Sequence, residues 1–206
     1  TLGPPLAKRW EARLNLHYSH LNGRSFLAKK QHYGPLVIQK SLYPEGATIC
    51  HGLIIHPPGG VAGGDELTID VNVAQNAHAL LTTPGAGKWY KANGQEAKQH
   101  LLFNIAEQAC LEWLPQENIL FDEASVHFNA EVNLAETAKY AAWEVLCFGR
   151  QASHENWATG QLKQQASIYR SGHLIWNERV FLNANDKVMH SLVGLNGARV
   201  SANFVV

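Results

Sequence analysis

The sequence predicts a mainly β protein, and three observations carry this prediction. Apolar and polar residues alternate with a period of two over many short segments, as in strands that bury one face. Turn-forming pairs such as Asn22-Gly23 and Ser171-Gly172 separate these segments. Few windows carry the spacing of an amphipathic helix. Taken alone, this periodicity favours a β-sandwich.

The predicted strands are short, and each is either alternating or continuously apolar. In order, they cover residues 12–18, 49–55, 66–73, 78–81, 101–105, 126–134, 162–168, 174–176 and 180–182. The 162–168 segment is mixed because Gln164 falls on its apolar face. One candidate helix covers 134–145, where alanine is frequent. Its end, 143–148, also fits a strand, so both interpretations stay open.

The chain shows no linker, composition shift or clean internal repeat, so we expect a single domain over residues 1–206. A chain of this length can bury a sizeable core. The charges balance, with 17 Lys and Arg against 17 Asp and Glu. This balance argues against a nucleic-acid partner, and the lack of a polybasic run argues against a membrane surface.

The protein is expected to be cytoplasmic. Cys50, Cys110 and Cys147 are odd in number and far apart, which predicts free thiols and a reducing compartment. No apolar run approaches the roughly 20 residues that would span a bilayer. Residues 1–5 lack the basic start and apolar stretch of a signal peptide.

A glycine- and proline-rich segment, 56–65, lies between two predicted strands. It consists of His-Pro-Pro-Gly-Gly-Val-Ala-Gly-Gly-Asp. Glycine allows a positive φ and the close approach of a backbone or a ligand, whereas proline fixes φ and removes an amide donor. We expect a shaped loop with His56 at one end and Asp65 at the other. A long hairpin turn is the simpler alternative.

Two more motifs follow in register. Residues 82–90 are Thr-Thr-Pro-Gly-Ala-Gly-Lys-Trp-Tyr, and residues 112–119 are Glu-Trp-Leu-Pro-Gln-Glu-Asn-Ile. Smaller matches are Gly34-Pro35-Leu36, Tyr43-Pro44-Glu45-Gly46, Gly149-Arg150 and Glu155. In this order and spacing, the motifs resemble the urease accessory protein UreD family, also called UreH. The resemblance extends from about Trp10 to about Leu182. The chain departs from the family pattern at Gly87, Trp89 and His154.

The resemblance implies a fold and a role. The fold would be stacked β-layers that form a β-helix-like body with a few short helices. The role would be that of a scaffold or chaperone that binds apo-urease with UreF and, through UreF, the GTPase UreG, and helps to insert nickel. Nickel would be transient cargo, with no tightly bound cofactor, and a homodimer is compatible with this role. UreD-like chains usually continue beyond the equivalent of Val206, so the family's C-terminal portion is expected to be absent.

The sequence offers no motif for catalysis or nucleotide binding. The nucleophile elbow Gly-x-Ser-x-Gly and the zinc motif His-Glu-x-x-His are both absent. The run Gly85-Ala86-Gly87-Lys88 is not a phosphate loop. Thr82 replaces its first glycine, and Trp89 replaces the Ser or Thr that would hold magnesium. We therefore expect no enzyme activity, and GTP hydrolysis would belong to a partner.

Five residues are candidate ligands for a passing metal ion: Asp65, Glu144, Glu155, Glu178 and His56. Carboxylate oxygen and imidazole nitrogen suit a borderline metal such as nickel. A buried carboxylate is costly unless it is paired or bound to a cation. We hypothesise a polar, water-filled route through the β body that passes nickel weakly. Replacing Asp65 or Glu178 with Ala should then lower urease activation.

Three of these residues also have a purely structural alternative. Glu144 could pair with Arg150, and Glu178 could pair with Arg179. His56 could simply end its strand and hydrogen-bond the loop.

Other residues of the three motifs are expected to shape loops or contact partners. They are Gly59, Gly60, Gly63, Gly64, Lys88, Trp89, Tyr90, Glu112, Gln116, Glu117 and Arg150. Trp89 and Trp157 lie in polar settings, which suggests exposed anchors for an interface, whereas Trp113 and Trp143 are expected in the core. Two other functions remain open: a carbohydrate-binding module using exposed Trp, and a hydrolase using Glu144 or Glu155 with a His.

Overall fold

The computed structural model describes residues 10–206 and contains, within them, fifteen strands and two 3-10 helices. The strands are β1 Glu11–Leu21, β2 Arg24–Tyr33, β3 Val37–Ile38, β4 Cys50–Ile55, β5 Glu66–Val73, β6 His78–Thr82, β7 Gly87–Trp89, β8 Ala97–Ile105, β9 Cys110–Trp113, β10 Asn118–Leu120, β11 Ser125–Leu134, β12 Lys139–Phe148, β13 Gln161–Arg170, β14 His173–Asn183 and β15 Val200–Val205. The helices are Gln151–Ser153 and Lys187–Met189. The prediction that residues 1–5 are not a signal peptide concerns residues outside the described range.

The predicted strands are all present, although the last two, 174–176 and 180–182, are parts of the single strand β14. The strands form two sheets. The first has seven strands in the order β14-β13-β11-β8-β5-β1-β2. The second has eight strands, in the order β3-β4-β6-β9-β12-β10-β7, with β15 paired to β12.

Parallel pairing makes the body a solenoid. In the first sheet β5, β8, β11 and β13 pair in parallel, and in the second β4, β6, β9 and β12 do the same. The chain alternates between the sheets, because parallel neighbours cannot be joined by a tight hairpin. The stacked β-layers implied by the resemblance are confirmed. The β-sandwich favoured by periodicity is wrong, because alternation reports a buried face but not the direction of the neighbouring strand.

A repeated corner connects the two sheets. Three turns with alanine at both ends, residues 74–77, 106–109 and 135–138, lead from β5 to β6, from β8 to β9 and from β11 to β12. The second alanine of each is buried and donates its N–H to the carbonyl of the first, at 3.0–3.2 Å. Only a small side chain fits this inner corner. The structure therefore contains an internal repeat that the sequence does not show as a clean one.

An asparagine ladder precedes each corner. The side chain of Asn104 donates to Asn72 Oδ1 at 3.2 Å and accepts from Asn133 Nδ2 at 3.1 Å. The three residues occupy one register row across β5, β8 and β11. The ladder ends on acidic residues, because Asn72 donates to Asp70 and Asn133 donates to Glu131. These bonds hold successive coils in register.

The candidate helix over 134–145 is wrong. Leu134 ends β11, residues 135–138 form the corner, and the rest belongs to β12. This strand pairs with β9, β10 and β15. Tertiary pairing thus overrides the helix propensity of the alanines.

The core fills the space between the sheets. Its largest fully buried side chains include Trp89, Tyr18, Phe103 and Leu111. All three cysteines are free thiols, as the sequence predicts. None of the helices in the described part of the chain is long and apolar enough to cross a membrane.

Candidate functional site

A cavity of 320 Å³ lies between the two sheets. Two rows of paired residues on the first sheet line it. One is Ile69, Leu101, Ala130, Ala166 and Glu178, and the other is Leu67, Gln99, Phe128 and Gln164. Neighbouring strands are spaced about 4.8 Å apart, so the first row extends ~19 Å along the solenoid from β5 to β14. The cavity therefore runs across the strands, not along them.

Small side chains leave this space open. Ala130 and Ala166 stand in the first row, and Ala142 lines the cavity from β12. Ile69 and Leu101 occupy the same row on the strands nearer β1. Larger residues at the alanine positions would fill the interior to ordinary core density.

Two carboxylates meet at the β14 end of the cavity. Glu144 projects from β12 and Glu178 from β14, and both line the cavity. The buried Gln164 amide donates a hydrogen bond to Glu144. Asn203 Nδ2 donates to Glu178 Oε1 at 3.3 Å, and Asn203 is also the register partner of Glu144 on β15. This end is polar and acidic, whereas most of the wall is apolar.

The environment of Glu144 changes its acidity. Burial raises the pKa of its carboxyl from 4.5 to about 7, the Gln164 hydrogen bond opposes the rise, and the nearby Glu178 charge adds to it. Burial and the Glu144 charge also raise the pKa of Tyr140, which lines the same cavity. Near neutral pH Glu144 therefore exchanges readily between a protonated carboxyl and a carboxylate, which can take up a cation.

His56 lies at the other end, where the 56–65 and 82–90 segments meet the cavity. It lines the cavity with Gly59, Gly60 and Lys88. Burial lowers the pKa of the imidazole, and the charge of Asp65 partly opposes this. The ring is therefore mainly neutral at pH 7 and keeps a nitrogen lone pair for a ligand.

The 56–65 segment is a shaped loop, as the sequence predicts, and it is not a hairpin because β4 and β5 belong to different sheets. Val61 pairs with the 88–90 stretch through N–H···O bonds of 2.8 Å to Lys88 and from Tyr90. Asp65 accepts from the N–H groups of Ala62 at 3.0 Å and Trp10 at 3.2 Å. The Asp65 carboxylate therefore anchors the loop and does not line the cavity.

The glycines of this loop allow close packing. A Cβ added to Gly63 would overlap the carbonyl oxygen of Ala92, and one added to Gly60 would overlap the Tyr90 ring. Gly59 and Gly64 adopt φ of 80° and 92°, where a side chain would be strained. The loop is thus fixed against the neighbouring segment.

A second cluster surrounds Arg150. Its guanidinium stacks 4.5 Å from the centre of the Phe121 ring and pairs with Glu155. Tyr90 also packs edge-on against Phe121, with ring centroids 4.9 Å apart. The structure thus brings together three predicted residues, Tyr90, Arg150 and Glu155, but away from the cavity lining.

The two ion pairs offered as alternatives do not form within residues 10–206. Arg150 pairs with Glu155 and not with Glu144. Glu178 accepts from Asn203, and no ion pair joins it to Arg179 in the described part of the chain. Neighbouring residues on a strand point to opposite faces, which separates Glu178 from Arg179.

Three of the four tryptophan predictions, those for Trp89, Trp157 and Trp143, are wrong. Trp89 and Trp157 are 1% and 5% exposed, so the prediction that they are surface anchors is wrong. Trp89 packs edge-on against Phe128, and its Nε1 donates to Asn118 Oδ1 at 2.9 Å, which satisfies its polar atom inside the fold. Trp113 is in the core as predicted, but Trp143 is 40% exposed, and its Nε1 donates to Pro115 O at 2.7 Å.

The residues of the third motif, 112–119, lie in different parts of the structure. Gln116 lines the cavity, and its N–H donates to Thr83 Oγ1 at 3.0 Å. The Glu117 carbonyl accepts from Gly87 N–H at 2.8 Å, which joins the second and third motifs. Glu112 lies on the half-buried outer side of β9, with its carboxylate against His78.

Sequence reasoning missed several polar residues of the cavity. Gln164, Tyr140 and Asn203 were not among the predicted site residues, yet all three line it. Gln164 carried a visible signal, because it interrupts the apolar face of an alternating strand. Asn203 carried none, since its place beside Glu178 depends on β15 pairing with β12.

Comparison with known proteins gives a consistent result. Residues 11–206 match the family model described as UreD urease accessory protein. A Methylobacillus flagellatus protein named urease accessory protein UreD is 56% identical over 199 residues, covering 97% of this chain and 70% of that protein. Proteins of the same name from Janthinobacterium sp. and Acinetobacter baumannii are 48% and 40% identical over 195 residues, covering 95% of this chain and 66% and 67% of theirs. The chain thus spans about two thirds of the length of these relatives.

Proposed function

The chain belongs to the UreD family of urease accessory proteins, and from this membership we propose that it helps to deliver nickel to apo-urease in the cytoplasm. It does so as a scaffold or chaperone together with UreF and, through UreF, the GTPase UreG. The single observation that carries this proposal is the family match over residues 11–206. The family is one of accessory proteins, not of enzymes.

The cavity is the proposed route for nickel. Glu144 and Glu178 supply carboxylate oxygens at one end, and His56 supplies an imidazole nitrogen at the other, and these are ligand types that accept nickel. The wall between them is mostly apolar and offers no tight chelating cage. The proton on Glu144 competes with the metal near neutral pH, because its pKa is about 7. Such a route suits transfer of an ion as cargo, not storage.

Asp65 and Glu155 support this function in a different way. Asp65 holds the loop that carries His56, through hydrogen bonds to Ala62 and Trp10. Glu155 pairs with Arg150 and accepts from the N–H of Asp122 at 3.2 Å. Asp65 thus fixes a loop that borders the cavity, and Glu155 fixes a cluster away from its lining. We propose both as anchors that are not part of the route.

The exposed surface supports association with partners. β14 is the outer strand of the first sheet and exposes Leu174, Ile175, Trp176 and Phe181, which are 48–57% accessible. Apolar side chains on an unpaired edge strand favour contact with another protein. UreF, apo-urease or a second copy of the chain are the partners that the proposal expects.

The two other functions find less support in the residues that suggested them. The carbohydrate-binding alternative cannot use Trp89 and Trp157, which are buried, and the exposed tryptophans left to it include Trp143 and Trp176. A hydrolase would need a His beside Glu144 or Glu155. The histidines that contact carboxylates in residues 10–206 do so at other glutamates, as in His51 with Glu45.

Co-expression tests the partner proposal. The full-length protein would be produced with UreF, UreG and apo-urease, and affinity purification of one component would show which others co-purify. We expect an assembly that contains all four. A correctly folded protein that captures neither UreF nor apo-urease would overturn the proposal.

A further inference from the structure

Three metal-ligating side chains meet on the outer face of the second sheet. His78 begins β6, and Cys110 and Glu112 lie two residues apart on β9. His78 and Cys110 are register partners in the parallel β6–β9 pair. Alternate residues of a strand share one face, so all three side chains project on the same side.

This cluster is separate from the cavity. Ala79, which follows His78, and Leu111, which lies between Cys110 and Glu112, are buried in the core between the sheets. His78, Cys110 and Glu112 are half-buried and point the other way, and none of them lines the cavity. The His78 and Glu112 side chains are each 27% exposed, so an ion in solution can reach them.

The geometry of the cluster is close to that of a metal centre. One ligand atom from each residue, nitrogen, sulfur and oxygen, lies within 4.8 Å of the other two. In a tetrahedral site, metal–ligand bonds of about 2.0–2.3 Å place the ligand atoms ~3.3–3.8 Å apart. His78 Nε2 and Glu112 Oε1 are only 2.6 Å apart, in a hydrogen bond. An ion bound by both His78 and Glu112 therefore requires side-chain rotations that open this hydrogen bond.

We propose that His78, Cys110 and Glu112 form a binding site for a divalent transition metal ion, with a fourth position open to water. A sulfur, a nitrogen and an oxygen ligand together select nickel, zinc or cobalt over magnesium or calcium, which prefer oxygen alone. The ion displaces the proton of the Cys110 thiol, which passes to bulk water. The ion also takes the place of the hydrogen-bond proton between His78 Nε2 and Glu112 Oε1, and the neutral imidazole then carries its single ring proton on Nδ1. Three metal–ligand bonds form.

Direct titration of the full-length protein tests this site. Co²⁺ and Ni²⁺ are added separately, and the near-ultraviolet charge-transfer absorption of a metal thiolate is recorded. We expect the band to saturate with one thiolate-bound ion per protein and to vanish in Cys110→Ser. Loss of an outer-shell partner already weakens metal binding about 10–100-fold, so His78→Ala or Glu112→Gln should weaken it at least as much.

Cys147→Ser is the matched control. Cys147 is also a half-buried free thiol beside a glutamate, Glu117, but it belongs to no His/Cys/carboxylate cluster in residues 10–206. The band should survive in this variant. No band in the unmodified protein, or an unchanged band in Cys110→Ser, would overturn the site.

Alkylation of the unmodified protein gives a readout that needs no variant. Iodoacetamide would be added with and without Co²⁺, and the modified cysteines would be identified by peptide mass spectrometry. We expect Co²⁺ to protect Cys110 and to leave Cys147 unprotected. Equal modification of Cys110 in both samples would overturn the proposal. The nickel route through the cavity does not depend on either result.

Discussion

Glu144 is the cavity carboxylate whose protonation the fold shifts towards neutral pH. Its carboxyl lies in the cavity against Gln164 and near Glu178, and burial raises its pKa to about 7. An ionised carboxylate there would be left with a like charge beside it and little water around it. A cation bound there would relieve both costs, which supports the proposed nickel route through a mostly apolar cavity.

The raised pKa predicts a pH-dependent stability. Between pH 4.5 and about 7 the folded state keeps a proton on Glu144 that the unfolded state has released. The free energy of unfolding therefore falls as pH rises through this window. Glu144→Gln removes this penalty. Its free energy of unfolding should therefore exceed that of the natural protein by about 1–3 kcal/mol at pH 8, with little difference at pH 4.5. Urea unfolding at the two pH values measures this.

Glu11→Gln provides the control for loss of one negative charge. Glu11 is an exposed carboxylate on β1 that does not line the cavity. Its replacement should change stability equally at both pH values. A Glu144→Gln variant with no gain at pH 8 relative to pH 4.5 would contradict the raised pKa.

Sequence patterns predict which single residues have unusual chemistry better than they predict what the side chains of those residues contact. Glu144, Glu178 and His56 could be chosen from the chain because polar groups among apolar neighbours are unusual. Asp65 looked equivalent to them, yet its carboxylate faces backbone N–H groups. Trp89 looked exposed because Lys88 and Tyr90 flank it, but alternation on a strand buries the middle residue. Both errors arise because tertiary contacts, not local composition, decide where a side chain points.

The corner and its asparagine ladder are the repeating elements of the fold. Each coil presents an asparagine, an apolar residue and then a four-residue turn with alanine at both ends. Asn72, Asn104 and Asn133 are separated by 32 and 29 residues. The unequal spacing hides the repeat from a search for a fixed period. The strands themselves could be predicted because the alternation of apolar and polar residues in each one indicates its buried face.

The asparagine ladder predicts that loss of its central residue lowers the stability of the protein. Asn104 makes two of the inter-coil bonds, so Asn104→Ala should destabilise the protein by about 1–3 kcal/mol, since each lost bond leaves a half-buried polar partner. Gln75→Ala, an exposed change in the first corner, should have almost no effect. Chemical denaturation compares the two variants. Equal stabilities would show that the ladder contributes nothing to coil register.

At the scale of the molecule, two stacked sheets enclose a space that crosses their strands. Two alanines in one register row open this space, and Glu178 closes the row on β14. The mainly β class follows from the sequence pattern, but the parallel stacking does not, because no local pattern encodes strand direction. Family resemblance supplied that part. The cavity follows only from the assembled sheets.

Nickel transfer to urease tests the central claim most directly. The full-length protein and its Glu144→Ala, Glu178→Ala and double variants would be co-expressed with UreF, UreG and apo-urease, and the nickel content and activity of purified urease measured. Glu11→Ala removes an exposed carboxylate of β1 and serves as the control, and co-purification confirms that each variant still assembles. We predict that the double variant assembles normally but lowers nickel loading by about tenfold or more, as expected for lost contacts at a metal site. Normal nickel loading by the assembled double variant would contradict the claim that nickel passes through this cavity.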